Sequence, residues 1–241
     1  MASLSTSDQE MALGHSGGGE IPISVIHRNE MATCKIKRLV GSGSGLLIKI
    51  KDIYCVLTNN HVLQSKEIAD GAEAQFEDVD GKSTSVMLIP NTFFITDEAL
   101  DFSIVALAEC PKRSTIATAS NGTESIVKVD YEHLEINSKR VKVGSSLQII
   151  QHPRGGKKKM SSGSVVKISD CKQFVYYNFD TDYGSSGSPV FMDGELVALH
   201  HERAPEEKAN KGVLMTAILP KLASLHKAQI KKKHSSKAVV S

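Results

Sequence analysis

Short runs of strand-forming residues follow one another along most of the chain, and residues that favour turns separate them. The pattern over residues 45–58 predicts two strands joined at Lys51-Asp52, a two-residue hairpin connection. Asp193-Gly194 is the strongest hairpin dipeptide in the chain. Many short strands with turn signals between them are typical of a β-barrel or a β-sandwich, and not of alternating strands and helices. The other predicted strands cover residues 102–107, 146–151, 163–168, 174–179 and 188–201.

Helical periodicity is confined to the C-terminal part of the chain. From Ile218 onward, Leu222 and Leu225 recur at helical spacing, and Pro220 suits the first turn of a helix. We therefore predict a short helix over about residues 219–230, packed on an all-β body.

Net charge separates the body of the chain from its end. The chain of 241 residues carries +2, but the last 21 residues hold six lysines and no acid, which leaves −4 for residues 1–220. A mildly acidic body argues against nucleic-acid binding. We interpret residues 231–241 as a solvated basic tail, with a weak nuclear signal or contact with anions as the alternatives. The Ser- and Gly-rich residues 1–20 are predicted to be a disordered leader.

Composition and targeting signals point to an intracellular, cytoplasmic protein. With 40% hydrophobic and 23% charged residues, the chain can bury a sizeable core. The first 20 residues contain no apolar core long enough for a signal peptide, and no stretch approaches the ~20 apolar residues of a transmembrane helix. The cysteines are far apart and form no C-x-x-C pair, so we expect no metal site or redox motif and interpret them as small buried residues. They are Cys34, Cys55, Cys110 and Cys171.

Two segments of the chain offer a base and an acid for nucleophilic chemistry. A serine hydroxyl attacks a carbonyl only with a base in hydrogen-bond reach, a group that orients the base, and donors for the oxyanion that develops. His61 ends a run of strand-forming residues, and Asp101 immediately precedes an apolar strand. Asp97 is the competing choice for the acid. On its own, the histidine equally fits a surface or satisfied core residue, and either acid fits the start of a strand.

A third segment, TDYGSSGSPVF over residues 181–191, offers the serine. Gly184 and Gly187 flank Ser185 and Ser186, so the backbone can turn tightly and direct consecutive N–H groups to one side. Such a nest of N–H groups is what an oxyanion requires. A flexible Gly-Ser linker fits poorly, because a well-patterned strand begins immediately afterwards.

The order of these segments connects them with a known family. The order His61, Asp101, Ser186 on an all-β chain is that of the chymotrypsin-type triad. The sequence resembles the chymotrypsin-like (trypsin-like) serine peptidases, and is most similar to the disulfide-free HtrA-like and intracellular members. The resemblance covers roughly residues 35–225, in blocks that occur in the family's order: GSGSGLLI, VLTNNHVL, LDFSIVAL, QHPRGGKKKMSSGSVV, TDYGSSGSPVF and GELVALHH.

The resemblance implies a fold and an activity. The expected fold has two six-stranded antiparallel β-barrels of the chymotrypsin type and a short C-terminal helix, within one peptidase domain over residues 21–230. The first barrel is expected over about residues 35–120 and the second over about residues 140–220, with the active site in the cleft between them. The implied activity is that of a serine endopeptidase, which hydrolyses peptide bonds of protein or peptide substrates through an acyl-enzyme, with no metal or cofactor.

The resemblance also assigns roles to individual residues. Ser186 would attack the substrate, His61 would act as general base and then as general acid, and Asp101 would hold the histidine tautomer. The backbone N–H groups of Gly184 and Ser186 would form the oxyanion hole.

Substrate contacts are expected from the second barrel. Asp180 lies six residues before Ser186, the spacing at which trypsin-like enzymes carry the acid that selects Arg or Lys. A structural role for Asp180 or Asp182 is the alternative. The other expected substrate-binding residues are Tyr183, Leu199 and His200.

His200 and His201 are adjacent on a predicted strand. Two neighbouring histidines invite a metal site, but adjacent side chains on a strand point to opposite faces. We therefore predict that one of them lines the pocket and that the other faces solvent.

Ser185 marks a departure from the family pattern. Secreted members carry an acid at that position, which pairs with a new N-terminus after proteolytic activation, so that switch is not implied here. Two other functions remain open: a protease-like peptide-binding or scaffold module with a misaligned triad, and an esterase or another acyl hydrolase. No G-x-S-x-G elbow stands between a predicted strand and a long helix, which counts against the α/β-hydrolase form of the latter.

Overall fold

The computed structural model describes residues 20–77, 81–111, 127–128 and 141–238, with the backbone alone for residues 127–128 and 230–238. Residues 1–19 of the predicted leader, residues 78–80, most of residues 112–140 and the last three residues lie outside this part. The N-terminal elements are α1 (Ile23–Ala32), β1 (Thr33–Lys37), β2 (Ser42–Ile50), β3 (Ile53–Thr58), α2 (Lys66–Ala69), β4 (Glu73–Glu77), β5 (Ser83–Met87), β6 (Phe94–Asp97), β7 (Phe102–Ala106) and β8 (Val127–Lys128). The C-terminal elements are β9 (Ser146–Gln151), β10 (Lys159–Ile168), β11 (Phe174–Tyr177), β12 (Pro189–Met192), β13 (Glu195–Ala204), β14 (Ala209–Leu214) and α3 (Met215–Ala238).

The C-terminal strands form a closed six-stranded antiparallel barrel, in the order β10-β11-β14-β13-β12-β9. This confirms the prediction of a six-stranded second barrel. Its hairpin between β12 and β13 turns at Asp193 and Gly194, which both have positive φ, as the Asp-Gly dipeptide predicts. Its interior is filled by alternate side chains of the strands, including Leu147, Ile149 and Tyr177.

Within the described residues, the N-terminal strands form a sheet that does not close. The strand order is β5-β4-β1-β2-β3-β7-β6, and β8 pairs in parallel with β2. Within the described residues, one isolated bridge between Leu88 and Leu107 joins the chain after β5 to the chain after β7. The prediction of two closed antiparallel barrels is therefore confirmed for the C-terminal barrel alone. In the described residues, no continuous ladder of backbone hydrogen bonds joins the two edge strands of the first sheet.

One hydrophobic core joins the two halves of the molecule. It contains most of the buried residues of the N-terminal sheet, and it continues through Ile150, Phe191, Leu199 and Val213 of the C-terminal barrel. The start of α3 is buried in the same core. Because these apolar side chains are shared, the edge where the two halves meet has a defined geometry.

The helices differ from the sequence-based expectation. The pattern did not predict α1, in which the buried Asn29 donates through Nδ2 to the Gly194 carbonyl at 2.8 Å. The C-terminal helix contains the predicted span but begins at Met215, so Pro220 lies in its second turn and not in its first. Proline has no N–H, so the carbonyl of Thr216 lacks its usual helical donor there.

The described part of the chain contains neither a helix that could span a membrane nor a disulfide. None of the helices found there is long and apolar enough to cross a membrane. The four cysteines, all of which lie in this part, form no disulfide.

Candidate active site

His61 and Asp101 meet because their strands are neighbours. Strand β3 ends shortly before His61, strand β7 begins immediately after Asp101, and the two strands pair antiparallel with Thr58 opposite Ser103. The His61 Nδ1 atom lies 2.8 Å from Asp101 Oδ2. The His61 backbone N–H also donates to Asp101 Oδ1 at 2.8 Å, so both carboxylate oxygens face this one residue.

The turn before β7 selects Asp101 and not Asp97 as the partner of His61. Asp101 adopts a positive φ of 45°, and its carbonyl accepts a hydrogen bond from Asn59 Nδ2 at 2.9 Å. Asp97 is engaged elsewhere, because its Oδ1 accepts the Leu100 N–H at 2.9 Å and its Oδ2 lies 3.0 Å from Lys221 Nζ. Asp97 therefore shapes the turn that presents Asp101.

Asp101 is held as a carboxylate. Burial raises its pKa, but hydrogen bonds from His201 and His61 outweigh burial and lower the pKa to about 2, from an ordinary value of 3.8. With a side chain that is only 9% exposed, the carboxylate keeps its negative charge next to both imidazole rings across the physiological pH range.

The lowered pKa predicts a specific acid dependence of stability. Because the folded-state pKa of Asp101 lies below its unfolded value, ionised Asp101 stabilises the fold above about pH 4, and that contribution is lost as the pH falls towards 2. Its size is about 2 kcal/mol. Urea unfolding of wild type and Asp101→Asn should therefore show a stability difference at neutral pH that shrinks between about pH 4 and pH 2. A difference that stays constant over that interval would contradict the assignment.

The serines of the GSSGS turn differ in exposure. Ser185 and Ser188 are fully buried, whereas Ser186 is half-buried. The Ser185 hydroxyl accepts the Asp182 N–H at 3.3 Å, so it is used within the turn. Ser186 is therefore the one serine of this turn that is not fully buried.

The N–H groups of the same turn fall into two sets. Those of Ser185 and Ser188 donate inside the turn, and that of Gly187 donates to the His200 carbonyl. In the part of the chain that the structure describes, the N–H groups of Gly184 and Ser186 have no acceptor.

The orientation of the Gly184 N–H follows from its neighbour. The Tyr183 carbonyl accepts a hydrogen bond from the Arg154 N–H. In a planar trans peptide the carbonyl and the following N–H point in opposite directions, so the Gly184 N–H points away from Arg154. Within the described residues, neither of these two N–H groups is therefore used by another part of the protein.

Ser44 fastens the turn to the N-terminal sheet. This fully buried residue of β2 donates its N–H to the Ser186 carbonyl and its hydroxyl to the Gly184 carbonyl, both at 2.8 Å. Its Oγ also accepts the His152 N–H at 3.0 Å, and its carbonyl accepts the Thr58 hydroxyl at 2.7 Å. Ser44 was not predicted as a residue of the site, although this serine lies in the Gly-Ser strand that carries part of the family resemblance.

Two glycines bring the turn close to the histidine segment. A Cβ atom on Gly43 would lie 2.7 Å from Val62, the residue after His61, and 3.2 Å from the Ser186 carbonyl oxygen. The missing side chain therefore lets the turn and the histidine segment pack against a single backbone position. Gly187 does the same on the other side, where a Cβ would overlap backbone and side-chain oxygens of β2 and β3.

Gly187→Ala is expected to destabilise the protein by at least about 2 kcal/mol, because positive φ and steric overlap act together. Gly187 has a φ of 82°, and its Cβ would overlap Ser44 O and Thr58 Oγ1. Gly71 is the matched control, since its φ of 81° is the same but nothing lies within 4 Å of its Cβ position. The free energy of unfolding of Gly187→Ala and of Gly71→Ala, measured by urea denaturation, is compared, and the difference gives the cost of the steric overlap. Equal losses of stability would show that the turn is not packed as described.

His200 is buried and the side chain of His201 is only 19% exposed, so the prediction that one of the two histidines faces solvent is wrong. His200 is 3% exposed, and its Nδ1 lies 2.8 Å from the Tyr177 hydroxyl. Burial lowers the pKa of His200 to about 3, so it stays neutral. The His201 Nδ1 atom lies 2.6 Å from Asp101 Oδ2.

A β-bulge lies at the position of His201. The pairing of β13 with β14 shifts register between His200 and Glu202, which leaves His201 as the extra residue. Bulges re-aim side chains and are common beside active sites. No residue pattern in the sequence signals this bulge, so the contact between His201 and Asp101 was not predicted.

The expected substrate-binding residues occupy different environments. The Asp180 side chain is exposed, and its carbonyl accepts from Gln151 Nε2 at 2.9 Å. Tyr183 is 90% exposed, whereas Leu199 is fully buried in the core. Asp182 pairs with Arg154, whose Nε lies 2.5 Å from Asp182 Oδ2, and this hydrogen bond lowers the pKa of the Asp182 carboxyl.

The fold and site together define the class of the protein. A closed six-stranded barrel next to a mostly antiparallel sheet, with a His-Asp pair where the two meet, is the chymotrypsin-type architecture. The chain belongs to the trypsin-like peptidase domain family, whose model matches residues 43–199.

Solved structures of proteases have the same fold. Rv3671c of M. tuberculosis H37Rv, in the inactive form of a Ser-to-Ala mutant, aligns over 88% of this chain and 98% of its own with TM-score 0.57 and 16% identity. Deg5 aligns over 82% of this chain and 90% of its own with TM-score 0.58 and 15% identity. The serine endoprotease of Yersinia pestis aligns over 86% of this chain and 68% of its own, with TM-score 0.57 and 16% identity.

A relative with higher sequence identity than these solved structures is y4fB of Sinorhizobium fredii, an uncharacterised protein. It is 31% identical over 217 residues, which cover 80% of this chain. The chain spans about a third of that protein's length.

Proposed function

We propose that the protein is a serine endopeptidase that hydrolyses internal bonds of protein or peptide substrates through an acyl-enzyme. The observation that carries the proposal is the His61–Asp101 pair at 2.8 Å, together with a GSSGS turn packed against the segment that leads into His61. A serine, a base and an orienting carboxylate held on one rigid framework are the parts that acyl transfer requires.

His61 acts as the general base in this proposal. The Asp101 carboxylate accepts the proton on His61 Nδ1, which leaves the lone pair on Nε2 to take the proton of a serine hydroxyl. The same carboxylate then stabilises the imidazolium that forms. The His61 side chain is 43% exposed, so its outer nitrogen faces the side from which a substrate arrives.

Ser186 acts as the nucleophile. It is half-buried, whereas the other two serines of its turn are fully buried. Attack through Oγ forms a tetrahedral intermediate, His61 passes the proton to the leaving amine, and water then releases the acyl group by the same steps.

The unpartnered N–H groups of Gly184 and Ser186 support an oxyanion hole in this turn. Donors that are already oriented stabilise the developing oxyanion without rearrangement at the moment of reaction. The bond from the Arg154 N–H to the Tyr183 carbonyl fixes one of these two peptide groups. With Ser185 buried where secreted relatives carry an acid, these internal contacts support an active turn that needs no cleavage of the chain.

A preference for Arg or Lys before the scissile bond is the finer part of the proposal. Asp182 is paired with Arg154 and therefore takes the structural role that was open for both acids. The exposed Asp180 is left as the acid that would attract a basic side chain.

A library of internally quenched peptides, with products identified by mass spectrometry, tests both parts. We expect cleavage of internal peptide bonds after Arg or Lys, and Asp180→Asn should reduce that preference. Cleavage after large apolar residues would reject the role of Asp180 alone. Binding without cleavage would favour a peptide-binding module, and hydrolysis of simple esters without peptides would favour another acyl hydrolase.

A further inference from the structure

His201 lies between two carboxylates. Its Nδ1 is 2.6 Å from Asp101 Oδ2, and its Nε2 is 3.0 Å from Glu202 Oε1. Lys211 Nζ lies 3.0 Å from the same Glu202 oxygen and 4.3 Å from the centre of the Phe174 ring, on which His201 stacks. The ring is therefore held on both edges and on one face.

Only one of the two tautomers of His201 leaves room for a cation between Nδ1 and Asp101, because in the other tautomer Nδ1–H donates to Asp101 directly, as in the metal-free site. A neutral imidazole has one N–H group and one lone pair, so it can donate to only one of two flanking carboxylates. If Nε2–H donates to Glu202, the Nδ1 lone pair faces the negatively charged Asp101 Oδ2. Either a second ring proton or a metal ion between Nδ1 and Oδ2 resolves that repulsion.

His61 adds a third donor atom to the same place. Its Nδ1 lies 2.8 Å from the Asp101 oxygen that His201 also contacts. One ligand atom from each of these three residues lies within 4.8 Å of those of the other two. Two imidazoles and one carboxylate are a donor set typical of zinc, with a further position open to solvent.

We propose that His61, Asp101 and His201 form an inhibitory binding site for a divalent transition-metal ion, with Zn²⁺ as the ion that fits this donor set. Glu202 serves as the outer partner of His201, since metal-bound histidines donate their other N–H to a carboxylate, and this contact fixes the binding tautomer. The inhibitory effect rests on the proposed peptidase function, whereas metal binding itself does not.

The site needs a small rearrangement to accept the ion. Ligand bonds of about 2.0–2.1 Å in tetrahedral geometry hold ligand atoms about 3.3 Å apart, roughly half an ångström more than the hydrogen-bonded distances in the structure. The His61 ring is 43% exposed and can make that movement, and its Nδ1 proton shifts to Nε2. His61 bound through Nδ1 can no longer take a proton on Nε2, which is why the bound ion inhibits.

Calorimetric titration of the full-length protein with Zn²⁺, after treatment with EDTA and its removal, tests the site. Wild type is expected to bind one tightly held ion, and His201→Asn should weaken its binding by more than about 100-fold. Asparagine keeps an N–H that can reach Asp101, but its amide is not a zinc ligand. His27→Asn, at a half-exposed histidine of α1, is the matched control and should bind as wild type does. Glu202→Gln should weaken binding about 10- to 100-fold.

Ion selectivity adds a second comparison. Mg²⁺ and Ca²⁺ prefer oxygen ligands and should give no heat attributable to this site. Absence of Zn²⁺ binding to wild type, or unchanged binding to His201→Asn, would overturn the proposal.

Protection of Ser186 from a fluorophosphonate separates the metal site from the proposed function. Zn²⁺ should slow labelling of wild type, and should not slow labelling of His201→Asn relative to the zinc-free rate of that variant. Binding that depends on His201 but leaves labelling unchanged would overturn the role of His61 as a ligand and with it the inhibition. If wild type is not labelled even without zinc, while His201-dependent binding is observed, the metal site stands and the peptidase function is rejected.

Discussion

Ser186→Ala is expected to lower kcat for peptide hydrolysis by about 10⁶-fold, because the hydroxyl that forms the acyl-enzyme is gone. Substrate binding should change little, since the turn keeps its backbone bonds to Ser44. Steady-state kinetics on one internally quenched peptide measures the loss, and urea denaturation shows whether the fold is kept.

Ser185→Ala is the matched control for that variant. It removes a hydroxyl from the neighbouring position, where Oγ accepts the Asp182 N–H in a fully buried site. We expect it to reduce stability modestly and to keep most of the peptidase activity. Loss of activity in Ser185→Ala together with full activity in Ser186→Ala would reverse the assignment of the nucleophile.

Asp101→Asn is expected to lower kcat by about 10⁴-fold, the loss seen when a triad carboxylate becomes an amide. The amide favours the wrong tautomer of His61 and provides no negative charge for the imidazolium. The KM should remain similar, because Asp101 is buried and contacts histidines and not the expected path of the substrate.

Asp97→Asn supplies the control for Asp101→Asn. Asp97 shapes the same turn through Leu100 and pairs with Lys221, so its loss should reduce stability with little effect on kcat. An equal fall in kcat for both variants would mean that the turn, and not the Asp101 carboxylate, is what the reaction requires.

The parts of the site that depend on local pattern could be predicted from the sequence. His61 and Asp101 each adjoin a run of strand-forming residues, and the glycines around Ser185 and Ser186 mark a tight turn. Their order along the chain then indicated the family. The structure adds that β3 and β7 are neighbours, and this pairing selects Asp101 over Asp97.

The parts that depend on long-range packing could not be predicted. Helix α1 has a weak amphipathic pattern, and contacts such as the bond from Asn29 to Gly194 are made with residues far along the chain. Ser44 bonds to two segments that lie more than 100 residues from it in the sequence, the Gly184–Ser186 turn and His152. His201 lies at a bulge of β13 and contacts Asp101 of the N-terminal half, so the pattern of residues along the strand does not show that this side chain is covered.

It could also not be predicted that the first sheet does not close within the described residues. The sequence contains enough strand-forming runs for a barrel. Whether the sheet closes depends on hydrogen bonding between its two edge strands. A single bridge between Leu88 and Leu107 is present within the described residues, and local propensity carries no information about such an edge.

Labelling of the folded protein with a fluorophosphonate, followed by mass spectrometry of the modified peptide, tests the central claim most directly. An activated Ser186 Oγ attacks phosphorus, fluoride leaves, and the adduct remains on that oxygen. The account predicts one adduct, on Ser186, that is lost in Ser186→Ala and retained in Ser185→Ala. A cooperatively folded wild-type protein that takes up no label, or takes it up at another serine, would contradict the account.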